Sequence, residues 1–243
     1  MPLRSYEQLR PYINRIVTGE NDVLWPKRPL YFAKTSGTTS GVKYIPITKD
    51  SVSNHFGTAR NALLMYAHET GNLQFFDGKL IFLSGSPILT KVGNISTGRL
   101  SGIVNHHIPA WLRTNQLPSY KTNCIDDWET KLEHIVSETI NQDMRLISGI
   151  PPWMQMYFDR LEEKSGQKMK DLFPNFSVLV HGGVNYEPYR QKLEQSIGKK
   201  IDSVETYPAS EGFIAFQNTQ YDEGLLLNTC LLYTSPSPRD AIP

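Results

Sequence analysis

The feature that most constrains the fold is a regular alternation of short apolar runs with helical patterns between residues 79 and 216. The runs are rich in β-branched residues and close on turn residues, which is typical of buried strands. Between them, apolar residues recur at helical spacing. Strands that alternate with helices predict an α/β layered fold with a largely parallel sheet. The predicted strands cover residues 79–83, 144–148, 176–180, 201–206, 213–216 and 225–227.

The ends of four predicted helices carry clear signals. Gly71 and Gly198 each end a helix, since glycine readily adopts the left-handed conformation that closes one. The pair Pro151-Pro152 begins another, because proline fits the first helical turn. Asp126, three residues before Glu129, predicts an N-terminal cap. The predicted helices cover roughly residues 50–71, 128–139, 151–166 and 187–197.

The balance of charge gives no support to a polyanionic partner. The chain has 25 Lys and Arg residues against 24 Asp and Glu, a formal net charge of +1, so neither nucleic acid nor an anionic membrane is favoured. Two cysteines imply no disulfide framework and favour a reducing compartment. The N-terminus lacks the apolar core of a signal peptide, and no apolar run approaches the roughly 20 residues of a membrane helix. We therefore expect a cytoplasmic protein that binds neither nucleic acid nor membrane.

A hydroxyl-rich segment is the strongest local signal for chemistry. It reads Thr35-Ser36-Gly37-Thr38-Thr39-Ser40-Gly41-Val42-Lys43. Glycines let the backbone approach a ligand, and hydroxyl and lysine side chains donate to phosphate oxygens, so this segment is able to hold a triphosphate. Its spacing is not that of P-loop NTPases, because the second glycine they require would fall at Val42. An exposed linker has the same composition, and composition alone favours the linker.

Two later segments favour a ligand site, because each follows directly on a predicted strand. They are His181-Gly182-Gly183 and the stretch from Tyr207 to Gly212. In open α/β sheets, ligands bind beyond the carboxyl ends of the strands. The paired glycines would lie flat against a purine ring, Tyr207 would stack on its other face, and Glu211 is a hard oxygen ligand suited to Mg²⁺. Taken singly, these features are better explained as a tight turn, a core aromatic residue and a solvated acid.

Together, these segments resemble adenylate-forming enzymes, and in particular the auxin-responsive-promoter family of acyl acid-amido synthetases with its bacterial relatives. Residues 2–20 resemble the opening segment of that family, residues 35–41 its phosphate-binding signature, and residues 207–211 its second signature. Pro208 stands where a small residue is more usual. The similarity runs from about residue 2 to residue 228, and it implies the layered N-terminal domain of an adenylate-forming enzyme.

The resemblance implies that the protein uses ATP and Mg²⁺. The hydroxyl-rich segment would hold the β- and γ-phosphates through its side chains and its backbone N–H groups. Its candidate phosphate ligands are Ser36, Gly37, Thr38, Thr39, Ser40 and Gly41. Lys43 lies close by and is a further candidate, although lysines near this segment differ between branches of the superfamily.

The same resemblance assigns the rest of the nucleotide to the two later segments. Gly182 and Gly183 would wall the adenine, with Tyr207 stacked against it. Ser210 would reach the α-phosphate and the acyl carbonyl, and Glu211 would bind Mg²⁺. The predicted catalytic residues are Thr38, Ser210 and Glu211.

A carboxylate that attacks the α-phosphorus of ATP suits this set of residues. A carboxyl group with a pKa of about 4 is ionised at neutral pH and needs no general base. The predicted reaction is activation of a small carboxylic acid as its acyl-AMP, followed in the complete enzyme by amide formation with an amino acid. Thioester formation with coenzyme A, and a fragment that binds ATP without turnover, are the alternatives. His106 and His107 lack metal-ligand spacing with the cysteines, so we assign them structural roles.

The predicted domain limits follow from where the similarity stops. Residues 1–228 are expected to form a partial ATP-binding domain, truncated before the ribose-binding Asp and the C-terminal-domain Lys that the resemblance implies. Residues 229–243 include three prolines and show no periodicity. They are typical of a non-native tail, similar to a translated adapter sequence, or of a natural disordered terminus, and we assign them no function.

Overall fold

The computed structural model describes residues 4–37, 41–220 and 224–228, without the side chains of residues 36, 37 and 111. In chain order the strands are β1 (Tyr31–Gly37), β2 (Gly41–Ile47), β3 (Lys79–Phe82), β4 (Thr90–Val92), β5 (Ile95–Gly98), β6 (Gln116–Leu117), β7 (Met144–Gly149), β8 (Val178–Gly182), β9 (Asp202–Ala209), β10 (Gly212–Phe216) and β11 (Leu226–Leu227). The helices are α1 (Tyr6–Val17), α2 (Lys49–Thr70), α3 (Leu100–Asn105), α4 (Ala110–Arg113), α5 (Tyr120–Asn123), α6 (Trp128–Thr139), α7 (Pro151–Ser165), α8 (Met169–Leu172) and α9 (Glu187–Ile197). A 3₁₀ helix spans Gln74–Asp77.

Seven of these strands form one sheet, here termed the main sheet, in the order β11-β10-β9-β8-β7-β3-β6. β6, β3, β7, β8 and β9 run parallel to one another, and β10 and β11 extend the sheet with antiparallel pairs. The prediction of an α/β fold with a largely parallel sheet is therefore confirmed. A second sheet, here termed the small sheet, has the order β2-β1-β5-β4 and lies outside that prediction.

Helices cover both faces of the main sheet, because successive residues on its strands point to opposite sides. Ile147 and Leu179 pack with side chains of α6, α7 and α9. Their neighbours Leu146 and Val178 pack with α2 on the other face. All four side chains are at most 1% exposed. Burial on both faces explains why these strands are continuous apolar runs rather than alternating ones.

α2 runs along the main sheet from the edge where β9 ends to the edge where β9 begins. Near the start of α2, Asn54 Oδ1 accepts a hydrogen bond from Phe213 N at 3.0 Å, at the beginning of β10. Near its end, Tyr66 Oη donates to Asp202 Oδ2 at 2.7 Å. Burial and the hydrogen bond to Asp202 raise the pKa of Tyr66 to about 12, so this hydroxyl stays protonated. β2 leads directly into α2 through the Thr48 cap. The two hydrogen bonds of α2 therefore also fix the point where β2, the edge strand of the small sheet, ends.

The prediction of the α6 cap is wrong by one residue. Asp127 occupies the cap rather than Asp126, and its Oδ2 accepts a hydrogen bond from Thr130 N at 2.8 Å. α1 is not predicted from the sequence, because Pro11 lies inside it and a proline usually marks a helix end. α2, α7 and α9 end as predicted. The left-handed glycines that follow them are Gly71, Gly166 and Gly198.

Two strands extend further than predicted. β8 continues through Gly182 and β9 through Ala209, because hydrogen-bonded pairing continues past the last apolar residue of each run. Pro208 is accommodated within β9 because it lies beyond Thr206, the last residue that pairs with β8. Its missing N–H therefore leaves the parallel ladder intact.

In the part of the chain that the structure describes, no helix combines the length and apolar character that a bilayer crossing requires.

We predict opposite effects on stability for alanine at two glycines. A Cβ at Gly182 would lie 2.1 Å from the carbonyl oxygen of Thr206, so Gly182→Ala should force β8 and β9 apart and lower the free energy of unfolding by about 1–3 kcal/mol. A Cβ at Gly57, inside α2, would meet nothing within 4 Å. Gly57→Ala should therefore raise the free energy of unfolding by about 0.5–1 kcal/mol. Urea unfolding midpoints measure both, and equal midpoints for Gly182→Ala and the wild type would contradict the described strand contact.

Candidate functional site

The parallel strands of the main sheet all end at one edge, here termed the carboxyl edge. The segments that leave it are residues 83–87 after β3, 118–119 after β6, 150 after β7, 183–186 after β8 and 210–211 after β9. Both later signature segments are among them, which agrees with the expectation that they share an edge. The usual ligand position in sheets of this kind is therefore occupied by the residues singled out in the sequence.

The pairing of β8 with β9 brings the glycine pair next to the signature tyrosine. Gly182 is paired with Thr206, and Thr206 Oγ1 donates a hydrogen bond to the carbonyl oxygen of His181 at 2.9 Å. Gly183 and Tyr207 are the residues that follow, so they leave the same point of the edge side by side. Tyr207 is 52% exposed, which excludes the explanation that it is a core aromatic residue.

Backbone geometry accounts for both glycines. A side chain at Gly182 would collide with the backbone of β9, and Gly183 has a φ of +80°, in the left-handed region that glycine adopts readily. A Cβ at Gly183 would lie 3.3 Å from Cγ2 of Ile150, so this turn also packs against the end of β7. The glycine pair is thus required by the fold itself, and a flat wall at the edge is the result.

Ser210 and Glu211 form the two-residue turn between β9 and β10. α2 supports this turn, because Asn54 Oδ1 accepts a hydrogen bond from Phe213 N, two residues after Glu211. Glu211 is exposed, and within the described ranges its carboxylate takes part in no ion pair. The Glu211 carboxylate is therefore not held by an ion pair in the described structure. The residues from Tyr207 to Ala209 belong to the strand, which corrects the prediction that all of this segment is a turn.

The hydroxyl-rich segment connects the two strands of a hairpin, β1 and β2. The residues on either side of it are therefore paired strands and not an exposed linker. Gly37 is paired with Gly41, and Gly41 has a φ of +78°. The side chain of Ser36 and the whole of Thr38, Thr39 and Ser40 lie outside the described residues.

Lys43 lies on β2 of this hairpin, directly opposite Thr35. Its Nζ is 5.4 Å from the centre of the Tyr6 ring, a cation–π contact. Tyr6 also accepts a hydrogen bond from Tyr44 N at 2.8 Å through its hydroxyl. α1 therefore supports the hairpin, and Lys43 points toward this support in the structure.

Contacts along the small sheet lead from the hairpin to the carboxyl edge. β1 runs parallel to β5, with Ala33 paired with Gly98. Just after β5, Ser101 Oγ accepts a hydrogen bond from Gly85 N at 3.2 Å, in the segment that follows β3. The carboxyl end of β5 thus meets the carboxyl edge of the main sheet. β1 continues in the same direction, so its Gly37 end lies on the side to which β5 points.

His181 belongs to this site and has no signal of its own in the sequence apart from the glycine pair that follows it. Its ring is 3% exposed and stacks on Tyr186, with ring centres 4.0 Å apart, and Arg190 lies over the Tyr186 ring at 4.7 Å. Its Nδ1 is buried without a hydrogen-bond partner. Burial, with a smaller contribution from Arg190, lowers the pKa of His181 to about 4. The residue is therefore neutral at physiological pH.

The adjacent histidines His106 and His107 have the structural role expected of them. His106 Nε2 lies 2.7 Å from the carbonyl oxygen of Pro87, and His107 Nε2 lies 3.0 Å from the hydroxyl of Tyr31. Across residues 4–37, 41–220 and 224–228, no group of three or more His, Cys, Asp or Glu side chains could hold a metal ion. A metal at Glu211 would therefore take most of its ligands from a bound molecule or from water.

Two large apolar side chains of α7, at sequence positions that could contact an apolar substrate, pack in the core instead. Met154 is fully buried, and Trp153 stacks on Trp128 with ring centres 4.6 Å apart. Both therefore have packing roles. The side chain of Trp111 lies outside the described residues.

Comparison with known proteins gives the family and the fold. The model of the GH3 family N-terminal domain matches residues 1–91 and 90–201. A curated relative, indole-3-acetic acid-amido synthetase GH3.15 of Arabidopsis thaliana, is 27% identical over 160 residues, which are 62% of this chain and 26% of that protein.

Two solved structures illustrate the shared fold. AtGH3.15 acyl acid amido synthetase in complex with 2,4-DB has a TM-score of 0.70 at 16% identity, over 91% of this chain and 48% of that one. An open conformation of 2-hydroxyisobutyryl-CoA ligase in complex with 2-HIB-AMP and CoA has a TM-score of 0.57 at 11% identity, over 94% and 48%. The chain thus spans about half the length of these solved proteins and shares the fold of the part that it covers.

The buried His181 predicts a specific dependence of stability on pH. Because its folded-state pKa of about 4 lies below the value of about 6.5 for an unfolded histidine, the unfolded state binds the proton first as the pH falls. The contribution is fully present above pH 6.5 and is lost on acidification toward pH 4, an effect on the order of 3 kcal/mol.

His181→Phe removes this titration and the unpartnered Nδ1 while it keeps an aromatic ring against Tyr186. Unfolding free energies measured between pH 7 and pH 4 should fall less steeply for this variant than for the wild type. The same substitution at His68, on the exposed side of α2, is the matched control. Parallel curves for His181→Phe and the wild type would show that His181 does not titrate between these pH values.

Proposed function

The chain belongs to the GH3 family, and from this premise we propose that it is the ATP-binding part of an enzyme that activates a carboxylic acid as its acyl-AMP. In the complete enzyme the acyl group then passes to the amine of an amino acid. The observation that carries the proposal is the pairing of Gly182 with Thr206, which sets an exposed Tyr207 beside a glycine wall at the carboxyl edge. We assign such an enzyme to the cytoplasm, in keeping with its two cysteines and the absence of a disulfide framework in the sequence.

The names of the relatives support the class of reaction. One relative is an amido synthetase, and a structural neighbour is a CoA ligase whose complex contains an acyl-AMP, 2-HIB-AMP. Formation of an acyl-AMP is the step that ATP-dependent amide and thioester formation have in common. The shared fold is that of the domain which would carry this step.

Adenine is assigned to the space between the glycine wall and Tyr207. An exposed aromatic ring at a rigid strand end offers a stacking surface without having to move out of the core. The phosphates are assigned to the hairpin and the Ser210–Glu211 turn. The phosphate ligands in this assignment are Ser36, Gly37, Thr38, Thr39, Ser40 and Gly41, with Lys43 in support.

Glu211 is the proposed ligand of Mg²⁺. Its carboxylate is exposed at a turn that Asn54 holds in place, and no basic side chain is paired with it among the described ion pairs. When bound, Mg²⁺ would offset charge on the phosphate oxygens. A single protein carboxylate is a common contribution to such a site, since substrate phosphates and water supply the other oxygens.

The chemistry requires positioning more than proton transfer. An oxygen of the ionised acid attacks the α-phosphorus, the bond to pyrophosphate breaks, and pyrophosphate leaves with the electron pair. Hydrogen-bond donors aimed at the phosphate oxygens stabilise the charge that develops on them. Ser210 is assigned to the α-phosphate, and Thr38 to the leaving pyrophosphate. No general base is needed, so the neutral, buried His181 is given no part in the reaction.

One comparison favours coenzyme A as an alternative acceptor of the acyl group. The CoA ligase complex holds both an acyl-AMP and CoA, and its fold matches 94% of this chain. Product identification separates the two outcomes, because an amide forms only with an amino acid and a thioester only with coenzyme A.

The proposal is tested by acid-dependent exchange of radiolabelled pyrophosphate into ATP. Exchange that requires both Mg²⁺ and a carboxylic acid would support acyl-AMP formation by this chain. ATP binding without any exchange would favour the non-catalytic alternative. Failure to bind ATP at all would end the proposal.

Glu211→Ala should weaken the binding of ATP in the presence of Mg²⁺ by roughly tenfold, the equivalent of about 1.4 kcal/mol. Binding measured in EDTA should change much less, because the carboxylate acts through the metal. Glu194→Ala, at an exposed position of α9, is the matched control that removes a carboxylate elsewhere. Calorimetric titrations of both variants give the answer, and equal losses with and without Mg²⁺ would argue against a metal ligand.

A further inference from the structure

The segments that leave the carboxyl edge of the main sheet carry little charge. Glu211 is the only charged residue in them, at the β9–β10 turn. A cation reaches the same edge from the small sheet, because Arg99 follows directly on β5, whose carboxyl end meets the segment after β3. The edge therefore has an acid at the β9–β10 turn and a guanidinium beside β3.

Arg99 lies against the segment that follows β3. A Cβ at Gly85 would lie 3.2 Å from Cδ of Arg99 and 3.9 Å from its Cβ, so the stem of the arginine covers this glycine. The backbone of Arg99 is fixed on both sides. Before it, a Cβ at Gly98 would lie 2.6 Å from Cδ2 of Leu89. After it, Ser101 Oγ accepts a hydrogen bond from Gly85 N at 3.2 Å. The arginine is thus held at the carboxyl edge.

The guanidinium of Arg99 is open to a ligand. The residue is exposed, and no ion pair in the described part of the chain includes it. A guanidinium has five N–H donors in one plane, and it binds a carboxylate well through two parallel hydrogen bonds. Its preferred ligand is therefore an anion that the described residues do not supply.

The floor between Arg99 and the glycine wall is uncharged and partly apolar. A Cβ at Gly149 would lie 3.0 Å from Cβ of Leu83, and a Cβ at Gly183 would lie 3.3 Å from Cγ2 of Ile150. The ends of β3, β7 and β8 are therefore in contact with one another. Val184, next along the segment after β8, is 42% exposed. This stretch of the edge suits the apolar body of a small molecule.

The distance along the edge sets the length of the ligand. β3 lies three strands from β9, and neighbouring strands are about 4.8 Å apart, so the edge spans roughly 14 Å between their ends. Adenine is assigned to the ends of β8 and β9, and the reacting carboxylate to Ser210 in the turn after β9. The part of the edge left for the acid therefore runs from that turn back toward Arg99.

We propose that the acid activated at this site is a dicarboxylic acid, with one carboxylate at the α-phosphate and the second on Arg99. The inference rests on the proposed function, because that function places the reacting carboxylate beside Ser210. Both carboxylates are ionised at neutral pH. Only the one beside the α-phosphorus reacts, and it forms one acyl-AMP and releases one pyrophosphate. The second carboxylate keeps its charge and fixes the orientation of the acid through the guanidinium.

The test is binding of matched acids to the wild-type chain, measured by saturation-transfer NMR without ATP. Adipate, suberate and terephthalate are compared with hexanoate, octanoate and 4-methylbenzoate, which lack the second carboxylate. At least one dicarboxylate should bind tenfold or more tightly than its monocarboxylate partner. Arg99→Gln should remove this preference. Lys91→Gln, which removes an exposed cation from β4 of the same sheet, should keep it.

Charge reversal gives a second measurement. Arg99→Glu should bind adipate more weakly than the wild type does. It should bind ε-aminocaproate, in which an ammonium group replaces the second carboxylate, at least fivefold more tightly than the wild type does. Because the side chain is exposed, both variants of Arg99 should fold, and urea unfolding midpoints check this.

Equal binding of each dicarboxylate and its partner by the wild type, or a preference that persists in folded Arg99→Gln, would overturn the inference. Weaker binding of ATP by Arg99→Gln, measured without any acid, would also overturn it, because the arginine would then hold the triphosphate. Failure of acyl-AMP formation would appear only in the pyrophosphate-exchange experiment, since ATP is left out of the acid titrations.

Discussion

The contact on which the site depends is the close approach of β8 and β9 at Gly182. The absence of a side chain lets the Thr206 carbonyl lie where a Cβ would be, 2.1 Å away, and parallel pairing therefore continues to the last residue of β8. This carries Tyr207 to the carboxyl edge with its ring exposed and starts the Gly183 turn beside it. A wider separation of the two strands would end the ladder earlier and move the tyrosine away from the glycine wall.

The small sheet reaches this edge through two separate attachments. α2 is tied to β10 and β9 along its length by Asn54 and Tyr66, which fixes the point where β2 ends. The segment after β3 packs against the start of α3, where a Cβ at Gly102 would lie 2.3 Å from the carbonyl oxygen of Ser86. One attachment holds the base of the hairpin and the other holds the end of its neighbour β5. These two attachments hold the small sheet against the main sheet.

The sequence is sufficient to predict the α/β fold and the helix ends at Gly71 and Gly198, because hydrophobic periodicity and left-handed glycines are local signals. The strand ends are less accessible to prediction, since Gly182 is equally typical of a turn and only pairing across the sheet shows that it is in a strand. The edge shared by the two later signature segments follows from topology and is confirmed. The unpartnered Nδ1 of His181 has no local signal, because burial and a missing hydrogen-bond partner are properties of the folded chain.

The central claim is that distant segments meet on one nucleotide. A crystal structure of the chain with a non-hydrolysable ATP analogue and Mg²⁺ tests it most directly. We predict adenine between the Gly182–Gly183 wall and the Tyr207 ring, the metal beside Glu211, and the terminal phosphates at the hairpin of residues 37–41. An analogue bound away from Tyr207, or phosphates that point away from the hairpin, would contradict it.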